Sequence, residues 1–187
     1  SARGRRLMPI HIAGRARLLG DDVNTDYIIT SKRKRDTLDE QILKRYLFET
    51  IDPAFAASVQ PGDVLVAGRN FGCGSAMEIA ATVILAAGVR AVLAKSFARS
   101  FYRNAINNGL LPIECDTNGV AEGDRIVVAL ERGVITAEND TRNERLARVE
   151  LPLVVDEILS AGGLVEHVRR RGQAATASRH PALVPRR

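Results

Sequence analysis
The chain has 187 residues, 45% of them hydrophobic, enough to bury one core and make a single domain. It has no unbroken apolar run of the roughly 18 residues that a membrane helix needs, and its basic N-terminus lacks the apolar stretch of a secretory signal. The net charge of +5 suggests nucleic acid until it is located: Arg3, Arg5 and Arg6 precede Leu7, and Arg169, Arg170, Arg171, Arg179, Arg186 and Arg187 follow Glu166, so removing these nine charges leaves residues 8–166 at −4.

Basic ends of this kind are more often solvated tails than nucleic-acid arms. With three Tyr, five Phe and no Trp, the chain also lacks a stacking surface for single-stranded nucleic acid. We therefore expect a basic extension over 1–8, a folded domain over 9–168 and a disordered basic tail over 169–187. The two cysteines, Cys73 and Cys115, have no metal-ligand spacing, and His11, His167 and His180 are scattered. This usage fits a reducing cytoplasm and a chain that holds no metal of its own.

In chain order, the alternation of Ile10, Ile12, Ala16 and Leu18 predicts a first strand, ended by Gly20-Asp21-Asp22. The turn through Asn24-Thr25-Asp26 leads into a short strand, Tyr27-Ile28-Ile29. Ser31 to Thr37 reads as a polar loop with four adjacent cations, Lys32, Arg33, Lys34 and Arg35. Thr37-x-x-Glu40 is a capping box for a helix with Ile42, Leu43, Tyr46 and Leu47 on one face. Asp52-Pro53 breaks that helix, and Pro61-Gly62-Asp63 turns into a strand over 63–67.

A glycine-rich turn follows, Gly68-Arg69-Asn70-Phe71-Gly72-Cys73-Gly74-Ser75, and then a helix from Glu78 to about Ala87. This order gathers backbone N–H groups and the positive end of a helix around Ser75. Its hydroxyl is either a helix cap or a group presented to an anion. No neighbouring His could activate it, and the spacing is not a Gly-x-Ser-x-Gly elbow, which argues against a serine hydrolase.

A buried strand over 91–94 precedes a helix from Phe97 to Asn107, with Ser96 as its expected cap and Asn108-Gly109 as its stop. Arg99 and Arg103 stand at i,i+4 on that helix, with Asn107 a turn further on. Such a stripe is either a carboxylate clamp or a solvated or subunit-facing edge. Extended residues follow at 110–113, then a hairpin of 125–130 with 133–137, and a helix opened by Pro152. Strand and helix alternating in this way make an α/β fold with a parallel component.

Residues 68–78, 96–109 and Gly20-Asp21-Asp22-Val23-Asn24-Thr25-Asp26, with the end Leu151-Pro152 through Leu164-Val165, together resemble the small subunit of 3-isopropylmalate dehydratase and related aconitase-family hydro-lyases. The resemblance covers roughly residues 10–168. It implies a swivelling β/β/α domain that docks on a separate large subunit. That partner would carry the 4Fe–4S cluster, and the substrate would be a small hydroxy acid that is dehydrated and then rehydrated at the neighbouring carbon. By the same resemblance Ser75 is the base that removes the proton alpha to a carboxylate, with Gly74 beside it. Asp26 is an acid at the edge of the site.

One departure bears on the substrate. Where the family reads Gly-x-Gly-Ser-Ser-Arg-Glu, this chain reads Gly72-Cys73-Gly74-Ser75-Ala76-Met77-Glu78, so the arginine that grips a substrate carboxylate is absent. Either the substrate lacks that carboxylate or another cation supplies the contact. Arg33 and Arg35, in the loop that resembles the family's specificity loop, are the candidates. The other reading of that loop is a solvated charge run.

Overall fold
The computed structural model describes residues 8–178. Within them the expected α/β class holds. Seven strands form one sheet: β1 (Ile10–Leu18), β2 (Val64–Ala67), β3 (Ala91–Ala94), β4 (Leu111–Glu114), β5 (Arg125–Glu131), β6 (Val134–Asn139) and β7 (Glu144–Glu150). Their order is β4-β3-β2-β1-β5-β6-β7. The first four run parallel, with Ala16 opposite Val64 and Leu65 opposite Val92, while β5, β6 and β7 continue antiparallel from β1.

Strands β2 and β3 are buried at every residue, as expected where a parallel sheet is covered on both faces. Their side chains divide by alternation. Leu65, Ala67, Val92 and Ala94 enter a core with Phe71, Val83, Ile84, Phe101 and Ala105. These last come from the loop after β2 and from the helices α5 (Glu78–Ala86) and α6 (Arg99–Asn108). Val64, Val66, Ala91 and Leu93 enter a second core with Ile12, Ile126, Val128, Ile135 and Leu159. That core joins the antiparallel half of the sheet to α7 (Leu153–Ala161).

Between β1 and β2 the chain departs from the sequence-based expectation. Tyr27-Ile28-Ile29 is not a strand: Thr25–Ile28 forms a short helix, α1, because the Asn24 side chain accepts the Asp26 N–H and caps it. The polar loop is also helical. Ser31–Asp36 forms α2, capped by Thr30, which accepts the Arg33 N–H. The next helix, α3 (Glu40–Leu43), is capped by Asp39 rather than Thr37, and it continues into a 3₁₀ turn over Lys44–Tyr46. One turn, α4 (Phe55–Ser58), precedes β2.

Ser96 does not cap α6. The cap position is Ala98, and Ser96 accepts the Asn70 N–H at 2.8 Å. Strand β7 was not anticipated. The last helix, α8 (Leu164–Ser178), runs past Arg169 into the segment expected to be disordered. The rest of that tail, 179–187, and residues 1–7 of the N-terminal extension lie outside the described residues.

Candidate active site
The carboxyl ends of β1, β2 and β3 lie at one edge of the sheet, the usual place for a ligand in an open α/β fold. The three segments leaving them, 19–24, 68–77 and 95–98, extend the strand order beyond the sheet. Leu19 donates to the Val66 carbonyl, Asp22 to Arg69, Gly72 to Val23 and Thr25 to Cys73, at 2.8 Å each. On the other side Lys95 donates to Gly68 and Phe71 to Ser96 at 3.0 Å, and Ala98 donates to Phe71 at 2.9 Å. Bridges pair Asn24 with Cys73 and Phe71 with Phe97. The glycine-rich segment is thus held on both edges by backbone.

Two glycines make this path possible. Gly72 has φ +80°, and a Cβ there would overlap the Phe101 ring. Gly74 has φ +91°, and a Cβ would lie 2.5 Å from Asn24 Oδ1. Both conformations are ones that residues with a Cβ adopt at a cost. Phe101 stands edge-on to Phe71 at 5.0 Å between ring centroids, so the turn rests on an aromatic floor.

Ser75 follows that turn and is exposed. It does not cap α5, whose cap position is Met77 with no side-chain cap. The first N–H groups of that helix are therefore free of a side-chain partner, two residues beyond Ser75. The Ser75 carbonyl accepts the buried Thr25 hydroxyl at 3.0 Å. Its own hydroxyl has no hydrogen-bond partner among the described residues.

The neighbour of Thr25 is Asp26. Its Oδ1 accepts the Ser31 hydroxyl at 2.6 Å and the Lys34 amine at 3.3 Å. The Ser31 hydroxyl, and after it the Lys34 amine, hold the Asp26 carboxyl below the ordinary carboxylate range, against the opposing pull of partial burial. The Lys34 amine also lies 3.2 Å from Met77 Sδ. Asp26, Lys34 and Met77 therefore meet on one wall, built from α1, α2 and the turn before α5, and Ser75 lies two residues before Met77 in that turn.

The other expected site residues are placed differently. Arg33 is held by Glu49 through two bonds of 3.0 Å, and its guanidinium lies 3.7 Å over the Tyr46 ring. Arg35 is exposed and makes no ion pair among the described residues. Arg99 and Arg103 line a separate open cleft of about 250 Å³ with Phe97, Tyr102 and Glu114. No hydrogen bond or ion pair among the described residues joins either of them to Ser75, Asp26 or Lys34.

Thr25, Ser31 and Lys34 were not singled out from sequence. A helix started by Thr30 would have put Ser31 and Lys34 at i,i+3 on one face. No three His, Cys, Asp or Glu side chains gather to hold a metal among the described residues, and Cys73 and Cys115 are free thiols on separate loops. No helix among them is long and apolar enough to cross a membrane.

Residues 19–118 match the aconitase C-terminal domain family. 3-Isopropylmalate dehydratase small subunit 1 of Archaeoglobus fulgidus is 46% identical over 157 residues, 83% of this chain and 96% of that protein. The methanogen homoaconitase small subunit of Methanocaldococcus jannaschii is 45% identical over 161 residues, 86% and 92% of the two chains. The crystal structure of 3-isopropylmalate dehydratase from Methanocaldococcus jannaschii aligns with a TM-score of 0.83 at 41% identity, covering 90% of this chain and 99% of that one. Shared sequence over most of both lengths, with the same fold, shows that the chain belongs to the aconitase C-terminal domain family, among the small subunits of the 3-isopropylmalate dehydratase group.

Proposed function
We propose that this chain is the small subunit of a two-subunit cytoplasmic hydro-lyase that isomerises a hydroxy acid by dehydration and rehydration, with 3-isopropylmalate as the default substrate. The observation that carries the reading is the Ser75 hydroxyl. It is exposed and without a partner among the described residues, and its backbone is fixed by Thr25 ahead of the uncapped start of α5. Such a group is placed to meet a substrate rather than to cap a helix.

Ser75 acts as the base that takes the proton alpha to a carboxylate and returns it on rehydration. A serine hydroxyl is a weak base at its ordinary pKa, so its alkoxide needs stabilisation. The α5 N–H groups and positive helix end lie just beyond it to supply that. Asp26, ionised and pinned by Ser31, closes one side of the site. Among the described residues, two separated thiols and no acidic or imidazole cluster do not fit an iron–sulfur site. The family resemblance ascribes the 4Fe–4S cluster to the large subunit, where it would bind the substrate's hydroxyl and carboxylate. A homoaconitase-type substrate is the second reading, favoured by the cations of α2 and by the likeness to a homoaconitase small subunit.

The test is reconstitution with the large subunit, its cluster loaded, and assay against a panel of hydroxy acids. Turnover of one acid is expected, with Ser75→Ala lowering kcat by about 10²–10⁴-fold at an unchanged melting temperature. Full activity of Ser75→Ala would remove the assigned base. Inactivity of the native pair toward every acid would leave a docking or regulatory module in place of an enzyme.

A further inference from the structure
Lys34 is the cation of the Ser75 wall whose bonding capacity is not used up. An ammonium has three donors. One goes to Asp26 Oδ1 and a second meets Met77 Sδ, a weak acceptor. The third has no partner among the described residues. The Lys34 side chain is only 12% exposed, so water does little to make up the deficit. A charge withdrawn from solvent and facing a sulfur is under-satisfied.

Its position ties it to the reacting end of the site. Thr25 and Asp26 are consecutive residues, and Thr25 holds the Ser75 carbonyl while Asp26 holds the Lys34 amine. Met77, the amine's other neighbour, lies two residues beyond Ser75. Of the other cations expected at the site, Arg35 is exposed and makes no hydrogen bond or ion pair to this wall among the described residues. Arg33 is committed to Glu49 and Tyr46, and Arg99 and Arg103 line another cleft. The Lys34–Asp26 pair is neutral overall, so an entering carboxylate meets a cation with a donor to spare. Without that cation it would meet the Asp26 anion alone.

We propose that Lys34 binds a carboxylate of the substrate at the Ser75 site, and that the site thereby selects acids carrying a carboxylate at that point. The proposal rests on the hydro-lyase reading of Ser75. Asp26 and Ser31 hold the amine, and the carboxylate takes the donors that now meet sulfur and nothing. Specificity toward the anion then lies in α2 and not in the glycine-rich turn.

The reconstituted enzyme tests this with the acid it turns over and the monomethyl esters of that acid, compared through KM or, for esters that are not turned over, Ki. Lys34→Met is expected to raise KM for the free acid by about 10–100-fold, the range for loss of a charge-assisted contact, with kcat within about threefold. Lys34→Arg is expected to recover part of the loss. For the ester that masks the carboxylate bound by Lys34, native enzyme and Lys34→Met are expected to bind alike. Should Lys34→Met fold poorly, Lys34→Gln, which keeps a donor without the charge, is expected to show the same KM rise. A KM within twofold of native, or equal losses for the acid and for every ester, overturns the proposal while leaving Ser75 as the base. Inactivity of the native pair toward all acids overturns both.

Discussion

Replacing Gly72 by alanine probes the turn that presents Ser75. The new Cβ meets two penalties that the structure separates. Gly72 has φ +80°, and a left-handed conformation costs a residue with a Cβ about 1–2 kcal/mol. The Cβ also overlaps the Phe101 ring, which is buried and packed edge-on against Phe71. Overpacking of this kind costs about 1–3 kcal/mol. Together these give a loss of about 2–5 kcal/mol, or about 4–20 °C in Tm for a domain of this size. Thermal unfolding of the free subunit followed by circular dichroism measures it. Gly20→Ala is the control, since Gly20 has an ordinary φ and no atom within 4 Å of its Cβ position; its Tm should stay within about 2 °C of native. If Gly72→Ala melts as the control does, the ring is not fixed and the turn is not rigid in the way described.

Two further outcomes are expected. Thr25→Val keeps the shape of a buried residue and removes the hydroxyl that holds the Ser75 carbonyl; it should cost about 0.5–1.5 kcal/mol of stability and lower turnover about tenfold through misplacement of Ser75, and unchanged turnover would show that this bond does not position the serine. Asp124 is held at a pKa of about 2, first by the Ala121 N–H, then by the Asn139 amide and Arg142. Its folded pKa lies below the unfolded value of about 3.9, so its contribution is complete above that value and disappears as pH falls toward 2. Asp124→Asn should therefore lower Tm at neutral pH and flatten the Tm profile between about pH 4 and 2; a parallel profile would place the acid sensitivity elsewhere.

The parallel half of the fold was legible because its signals are local. The apolar runs at 64–67 and 91–94 are buried on both faces, and a helix follows each. The α1–α2 region was not, for two reasons. Ile28 and Ile29 are both fully buried, so their adjacency suggests a strand as readily as the end of a helix. Helix α2 buries no residue, so it leaves no hydrophobic period. It depends on the Thr30 cap and on the Arg33–Glu49 pair, 16 residues apart in sequence.

The same limit governs the site. Ser75 and Asp26 lie in recognisable motifs, whereas four consecutive cations look equivalent until a helical turn sends Arg33 toward Glu49 and Lys34 toward Asp26. Strand β7 was obscured by the register shift at Ala137/Glu138, which interrupts its pairing with β6.

The three segments beyond the strand ends are joined to one another largely through main-chain groups, whose hydrogen bonds ask little of the side chains they carry. A frame of that kind separates holding the site from furnishing it. Ala76 and Met77 can occupy the turn, and a lysine can enter from a neighbouring helix, without the frame being rebuilt. On the proposed reading, such a scaffold would let one acid be exchanged for another by point substitution while the Ser75 hydroxyl keeps its position.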